Sequence, residues 1–145
     1  MDKQEAIYRT ALQLVDHFSD CLQTAGRGVH SRIFSHLLNP EQEFVAIGQS
    51  QEVIDGAPSH VEHIVPCAVL IKESCELIKN GEPREEIAKL MAKHWKIAYI
   101  SKEQAKNLDT KDGLNLKNTM PKGWDYKTGD TKARLNEAKI VLMPL

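Results

Sequence analysis

The chain reads as a mainly α protein with minor β, an α+β fold of about six helices and one to three short strands in one compact domain. Three observations predict this. Apolar residues recur at spacings of three and four through most of the chain, as they do when a helix buries one face. Only the runs Phe44-Val45-Ala46-Ile47 and Ile97-Ala98-Tyr99-Ile100, with the tail Ile140-Val141-Leu142-Met143, have the short continuous form of a strand. The composition, 41% hydrophobic and 27% charged over 145 residues, is that of a globular chain long enough to bury a single core. The expected organisation is a helical pair over 1–40, a loop with the candidate site over 41–66, and a helical remainder with a basic loop over 67–145.

Each element has a local reason. Asp2 and Glu5 have the form of a capping box, and Ile7, Ala11, Leu14, Val15, Phe18, Cys21 and Leu22 then lie along one stripe, so a long helix is predicted up to Gly26. His17 borders that stripe, and Cys21 reads as a small core residue. Val29, Ile33, Phe34, Leu37 and Leu38 suggest a second helix closed by Asn39-Pro40, since the residue before proline is pushed out of the helical region. His30 and Arg32 can face a phosphate or simply line a solvated surface. Gln49 to Ser59, with Asp55-Gly56 and Pro58, reads as a polar loop.

Pro66 suits the first turn of a helix with Cys67, Leu70, Ile71, Ser74, Leu77 and Ile78 on its buried face. Pro83 opens another, with Glu85 and Glu86 in the first turn and Lys93 and His94 in the last, as the helix dipole favours, so His94 reads as a helix-end cation. Ser101 and Gln104 form a capping box for a short helix through Leu108. Asp109 to Lys127 is a long basic loop, and Asp130 or Thr131 can cap a last helix before the apolar tail, which reads as an edge strand or extended arm.

Several classes are excluded or disfavoured. No apolar run approaches the ~20 residues of a membrane-spanning helix, and the polar, acidic start has no secretory pattern, so a cytoplasmic protein, or the mature form of a processed one, without a membrane partner is expected. Three cysteines make neither a disulfide framework nor a four-cysteine zinc site. The net charge of −1 hides an asymmetry: residues 1–88 carry 7 basic and 14 acidic side chains, and residues 89–145 carry 12 and 6. The basic third can face phosphate or an acidic protein, or it can neutralise the acidic part across their packing surface.

Reactive groups concentrate in Ser59-His60-Val61-Glu62-His63-Ile64-Val65-Pro66-Cys67. In an extended chain His60 and Glu62 point to one side and His63 to the other, whereas in a helical turn His60 and His63 share a face. Two imidazoles and a carboxylate can hold a divalent ion, combine a ligand with a general base, or buttress the following helix. The zinc-deaminase pattern fails because position 70 is Leu where a second cysteine is needed, and the H-E-x-x-H and H-x-x-E-H spacings are absent.

Glu62-His63-Ile64-Val65-Pro66 resembles the opening of HNH or His-Me finger nucleases, whose ββα unit carries the catalytic histidine on its first strand. The resemblance implies that His63 activates water for attack on a phosphodiester of DNA or RNA. It also implies that Glu62, supported by His60, binds a divalent metal (Mg2+, Mn2+ or Zn2+), and that an Asn from a later helix completes the site. Asn115 and Asn118, in Gly113-Leu114-Asn115-Leu116-Lys117-Asn118, are the best match for that Asn. Two predicted helices intervene where the family's unit is compact, and the zinc-knuckle cysteines are missing. Lys117, Lys122, Lys127 and Arg134 are the candidate nucleic-acid contacts, and Trp124 can stack on a base or anchor its loop by packing. The alternative is a non-catalytic helical binding protein, an inhibitor or regulator of phage or mobile-element type whose partner is a nucleic-acid-handling protein.

Overall fold

The computed structural model describes residues 2–145. Its helices and strands are α1 (Lys3–Gln23), α2 (Ile33–Leu37), α3 (Glu41–Val45), β1 (Ala46–Ser50), α4 (Gln51–Ile54), β2 (Ser59–His63), α5 (Cys67–Lys79), α6 (Arg84–His94), β3 (Ile97–Ser101), α7 (Lys102–Asp109), α8 (Ala133–Glu137) and β4 (Leu142–Met143). The protein is therefore an α+β domain, half helical, with a small sheet.

Helix α1 starts on its cap, Asp2 Oδ1 accepting from the Glu5 N–H at 2.7 Å, and buries Ile7, Ala11, Leu14, Val15, Phe18 and Cys21. That face packs on α5 and α6. Phe18, Phe34 and Trp95 continue the core in successive edge-on contacts, with centroids 6.2 and 5.2 Å apart. Each such fully buried apolar side chain contributes roughly 1.5–3 kcal/mol relative to its exposed state. At the surface, Arg84 grips Asp16 through both carboxylate oxygens at 2.8 and 2.7 Å, joining α6 to α1.

The sheet order is β2-β3-β1-β4. β1 and β3 run parallel, β2 is antiparallel to β3 in the register Ser59↔Ser101 to His63↔Ile97, and β4 is antiparallel to β1. Central β3 is covered on both faces. Ile97 joins the helical core, while Ala98 and Ile100 pack with Ala105 and Leu108 of α7, Leu135 of α8 and Ile140. The capping box of Ser101 and Gln104 is complete, so α7 leaves β3 without an intervening loop.

Several expectations need correction. The segment 41–66 is not a loop but holds two strands and two short helices, because its strands find partners far away in sequence. The strand expected at Phe44 begins at Ala46, and Gly48 lies within it. A Cβ at Gly48 would sit 2.8 Å from the Met143 carbonyl oxygen and 3.0 Å from Leu142 Cβ, so glycine is what lets β4 close against β1. The second helix is confined to Ile33–Leu37. His94 is not a helix-end cation: it is fully buried, its Nε2–H donates to the Tyr126 carbonyl at 2.8 Å, and Nδ1 meets the Thr131 hydroxyl at 2.9 Å. Burial holds its pKa below the usual histidine value, so the ring is a neutral core element.

Candidate functional site

His63 is the last residue of β2, and strand alternation decides which side chains meet there. His60 and Glu62 share a side, with His60 Nε2 3.3 Å from Glu62 Oε2. His63 Nε2 instead meets Glu41 Oε2 at 2.9 Å, and the Trp95 indole N–H donates to the same oxygen at 2.7 Å. Glu41 is only 6% exposed and Trp95 is fully buried, so the carboxylate is fixed by two donors in an apolar wall. Burial alone would push the imidazole pKa down, but the neighbouring Cys67 sulfur and the Glu41 carboxylate outweigh it and raise His63 to about 10. Glu41 answers in kind: burial pushes it up, yet the donors His63 and Trp95 leave it below the ordinary carboxylate value. Both neighbours favour the protonated ring of His63.

Behind Glu62 stands Arg134, 1% exposed. Its Nη2 donates to Glu62 Oε1 at 3.1 Å and lies 3.6 Å from Asp109 Oδ1 at the end of α7. Nη1 donates to the His63 and Ile64 carbonyls, both at 3.1 Å, and Nε to the Leu116 carbonyl at 2.8 Å. The planar fork of donors thus joins β2, the end of α7, the 110–118 segment and α8.

These groups border a cavity of about 460 Å³. Arg32, Lys117 and Asn118 line it together with His60 and His63. So do Pro66, Cys67 and Ala68, the first turn of the 13-residue helix α5, whose leading N–H groups carry the positive end of the helix dipole. A second cavity of about 440 Å³ shares Ala68 and Asn118 with the first and continues past Lys72, Lys122 and Trp124. The two cavities therefore adjoin as a groove with His63 in the lining of its first part.

No family model, curated protein or solved structure matches the chain.

Of the expected site residues, the structure brings His60, Glu62, His63, Lys117 and Asn118 to one cavity. Asn115 is not among its lining residues and sits in a left-handed turn at φ 55°. Arg134 is no surface contact for nucleic acid, because it is buried and its donors are spent inside the protein. Lys127 turns to Glu82 at 2.9 Å, beside a separate cavity. Trp124 packs edge-on to His94 at 5.0 Å and donates its indole N–H to the Asp130 carbonyl at 2.9 Å, so it anchors its loop while bordering the groove. Cys67, expected on the buried face of its helix, packs partly against the core and also lines the cavity.

The implied metal can be set against this donor set. Both Glu62 oxygens already meet protein groups, one of them a buried guanidinium. Among the described residues no group of three or more His, Cys, Asp or Glu is placed to hold an ion. With Arg134 in place the residues do not fit a divalent ion bound through Glu62. Glu41, Trp95, Asp109 and the cavity role of Cys67 had no motif to announce them. Arg32 did carry a signal, as a cation near a helix start that can meet phosphate.

Proposed function

We propose that the protein is a nuclease-like phosphodiesterase acting on nucleic acid in the groove that His63 helps to line. The observation that carries this reading is the convergence, on one groove, of a carboxylate-held imidazolium, the positive end of α5, and the cations Arg32, Lys117, Lys72 and Lys122. Two adjoining cavities with basic side chains along both suit an extended polyanion better than a single small anion. The antiparallel pair β2–β3, followed directly by α7, is also consistent with the ββα order that the resemblance implies, with α5 and α6 inserted between its strands.

In this reading Lys117, Arg32 and the α5 N-terminus bind the phosphate, and His63 delivers a proton to the leaving oxygen. Glu41, itself held by Trp95, keeps the imidazole protonated and oriented. The test is cleavage of plasmid DNA and of single-stranded RNA, with and without Mg2+ or Mn2+, by wild type and His63→Ala. Wild-type cleavage that is lost in a folded His63→Ala protein is expected. If wild type leaves both polymers intact under every condition, the reading fails. Binding without cleavage would then favour the alternative, a non-catalytic binding protein.

A further inference from the structure

Resting on that reading, we infer that the site cleaves RNA without a divalent ion, because the guanidinium of Arg134 occupies the cation position between Glu62 and Asp109.

A divalent ion in a nuclease neutralises acidic ligands and makes bound water a better nucleophile by lowering its pKa. Here the first task is already done. Arg134 Nη2 lies 3.1 Å from Glu62 Oε1 and 3.6 Å from Asp109 Oδ1, the two carboxylates that β2 and α7 bring to the cavity. The guanidinium is 1% exposed, cannot lose its proton, and is pinned from the other side by the His63, Ile64 and Leu116 carbonyls. An ion entering between the carboxylates would meet a buried like charge at contact distance. It would also have to displace His60 from the other Glu62 oxygen, 3.3 Å away.

With the carboxylates neutralised by a side chain, only an imidazole is left to activate water, which makes it a weaker nucleophile than a metal-bound hydroxide would be. A ribose 2′-hydroxyl does not need that help, since it is held next to the phosphorus by the substrate itself. DNA lacks this group. The cavity supplies the two proton carriers such a displacement needs. The 2′-oxygen attacks phosphorus and its proton passes to His60, whose Nδ1 is the ring nitrogen not facing Glu62. The bond from phosphorus to the 5′-oxygen breaks, and that oxygen takes the proton from Nδ1 of the His63 imidazolium, the ring nitrogen that does not face Glu41. The products are a 2′,3′-cyclic phosphate and a 5′-hydroxyl, and proton exchange with water resets the two rings. Lys117 and Arg32 offset the charge on the phosphoryl oxygens.

The full chain, dialysed against a chelator, is incubated with an end-labelled RNA oligonucleotide, the same RNA fully 2′-O-methylated, and the DNA of the same sequence. The expected result is RNA cleavage unchanged by EDTA, ends carrying 2′,3′-cyclic phosphate, no cleavage of the other two, and losses of about 100-fold or more in folded His60→Ala and His63→Ala proteins purified identically. Cleavage that needs added Mg2+ or Mn2+, or that also cuts DNA, overturns this inference and leaves the nuclease reading standing. No cleavage of any polymer under either condition removes both.

Discussion

Arg134 reaches Glu62 at 3.1 Å beneath the floor of the cavity, and neither side chain has appreciable contact with solvent. Removing one partner of such a pair strands the other charge, which costs about 3–5 kcal/mol. Arg134→Met is expected to lose that much in urea unfolding, and Arg134→Met with Glu62→Leu to recover part of it. A single-variant loss below about 1 kcal/mol would show that the guanidinium is not the buried clamp described here.

The contacts of His63 with the Cys67 sulfur and the Glu41 carboxylate set a pH window. His63 is raised from 6.5 to about 10, so its contribution is complete below pH 6.5 and disappears as pH rises through 10. Glu41 is lowered from 4.5, so its contribution is present above pH 4.5 and is lost as pH falls through its folded-state value. Glu41→Gln is expected to lower the His63 pKa, read from the imidazole NMR shifts, and to flatten both limbs of the stability profile. An unchanged His63 titration would disconnect the two residues.

Trp95→Phe keeps most of the buried ring but deletes the donor to Glu41. Loss of a hydrogen bond to a buried carboxylate costs about 1.5–3 kcal/mol, and chemical denaturation measures it. The same variant is expected to shift the His63 titration, which a purely packing role for Trp95 would leave alone.

Gly48→Ala places a methyl group against the Met143 carbonyl and Leu142. A loss of about 1–3 kcal/mol, typical of overpacking, is expected together with faster amide exchange at Leu142 and Met143. Slow exchange there in the variant would mean that β4 tolerates the added carbon.

Lys117→Ala and Lys122→Ala are expected to weaken single-stranded nucleic-acid binding, each lowering the slope of log K against log salt by about 0.7. Arg134 does not reach the groove, so an affinity loss in folded Arg134→Lys that matched Lys117→Ala would contradict its placement.

Much of this fold was legible locally. The α1 stripe, its Asp2 cap, the Ser101–Gln104 box and the Ile97–Ile100 strand all follow from neighbours within a few residues. The edge strand at the C-terminus was also read from its apolar run. What stayed hidden depends on distant partners. Glu41 looks like an ordinary helix-start acid until Trp95 and His63, 54 and 22 positions away, fold against it. Arg134 reads as one surface cation among many, because nothing nearby in sequence shows that Glu62, 72 residues earlier, will receive it. The same separation explains the charge asymmetry in part: Arg134–Glu62 and Lys127–Glu82 each join the basic third to the acidic part. His94 misled for a related reason, since a helix-end histidine is a cation only while its end stays in water.

The helical pair between β2 and β3 also bears on the order of assembly. His63 and Ile97 are register partners 34 residues apart, and that interval is filled by α5 and α6, which pack on each other. Closing a loop of slack chain costs entropy that grows with its length, whereas helices formed from local contacts shorten the span before its ends meet. The hairpin of α5 and α6 is therefore expected to be a nucleus, with high φ-values at Leu70 and Met91 and low ones at Glu41 and Arg134. The surroundings of His63 would then be the last part of the molecule to acquire their native form.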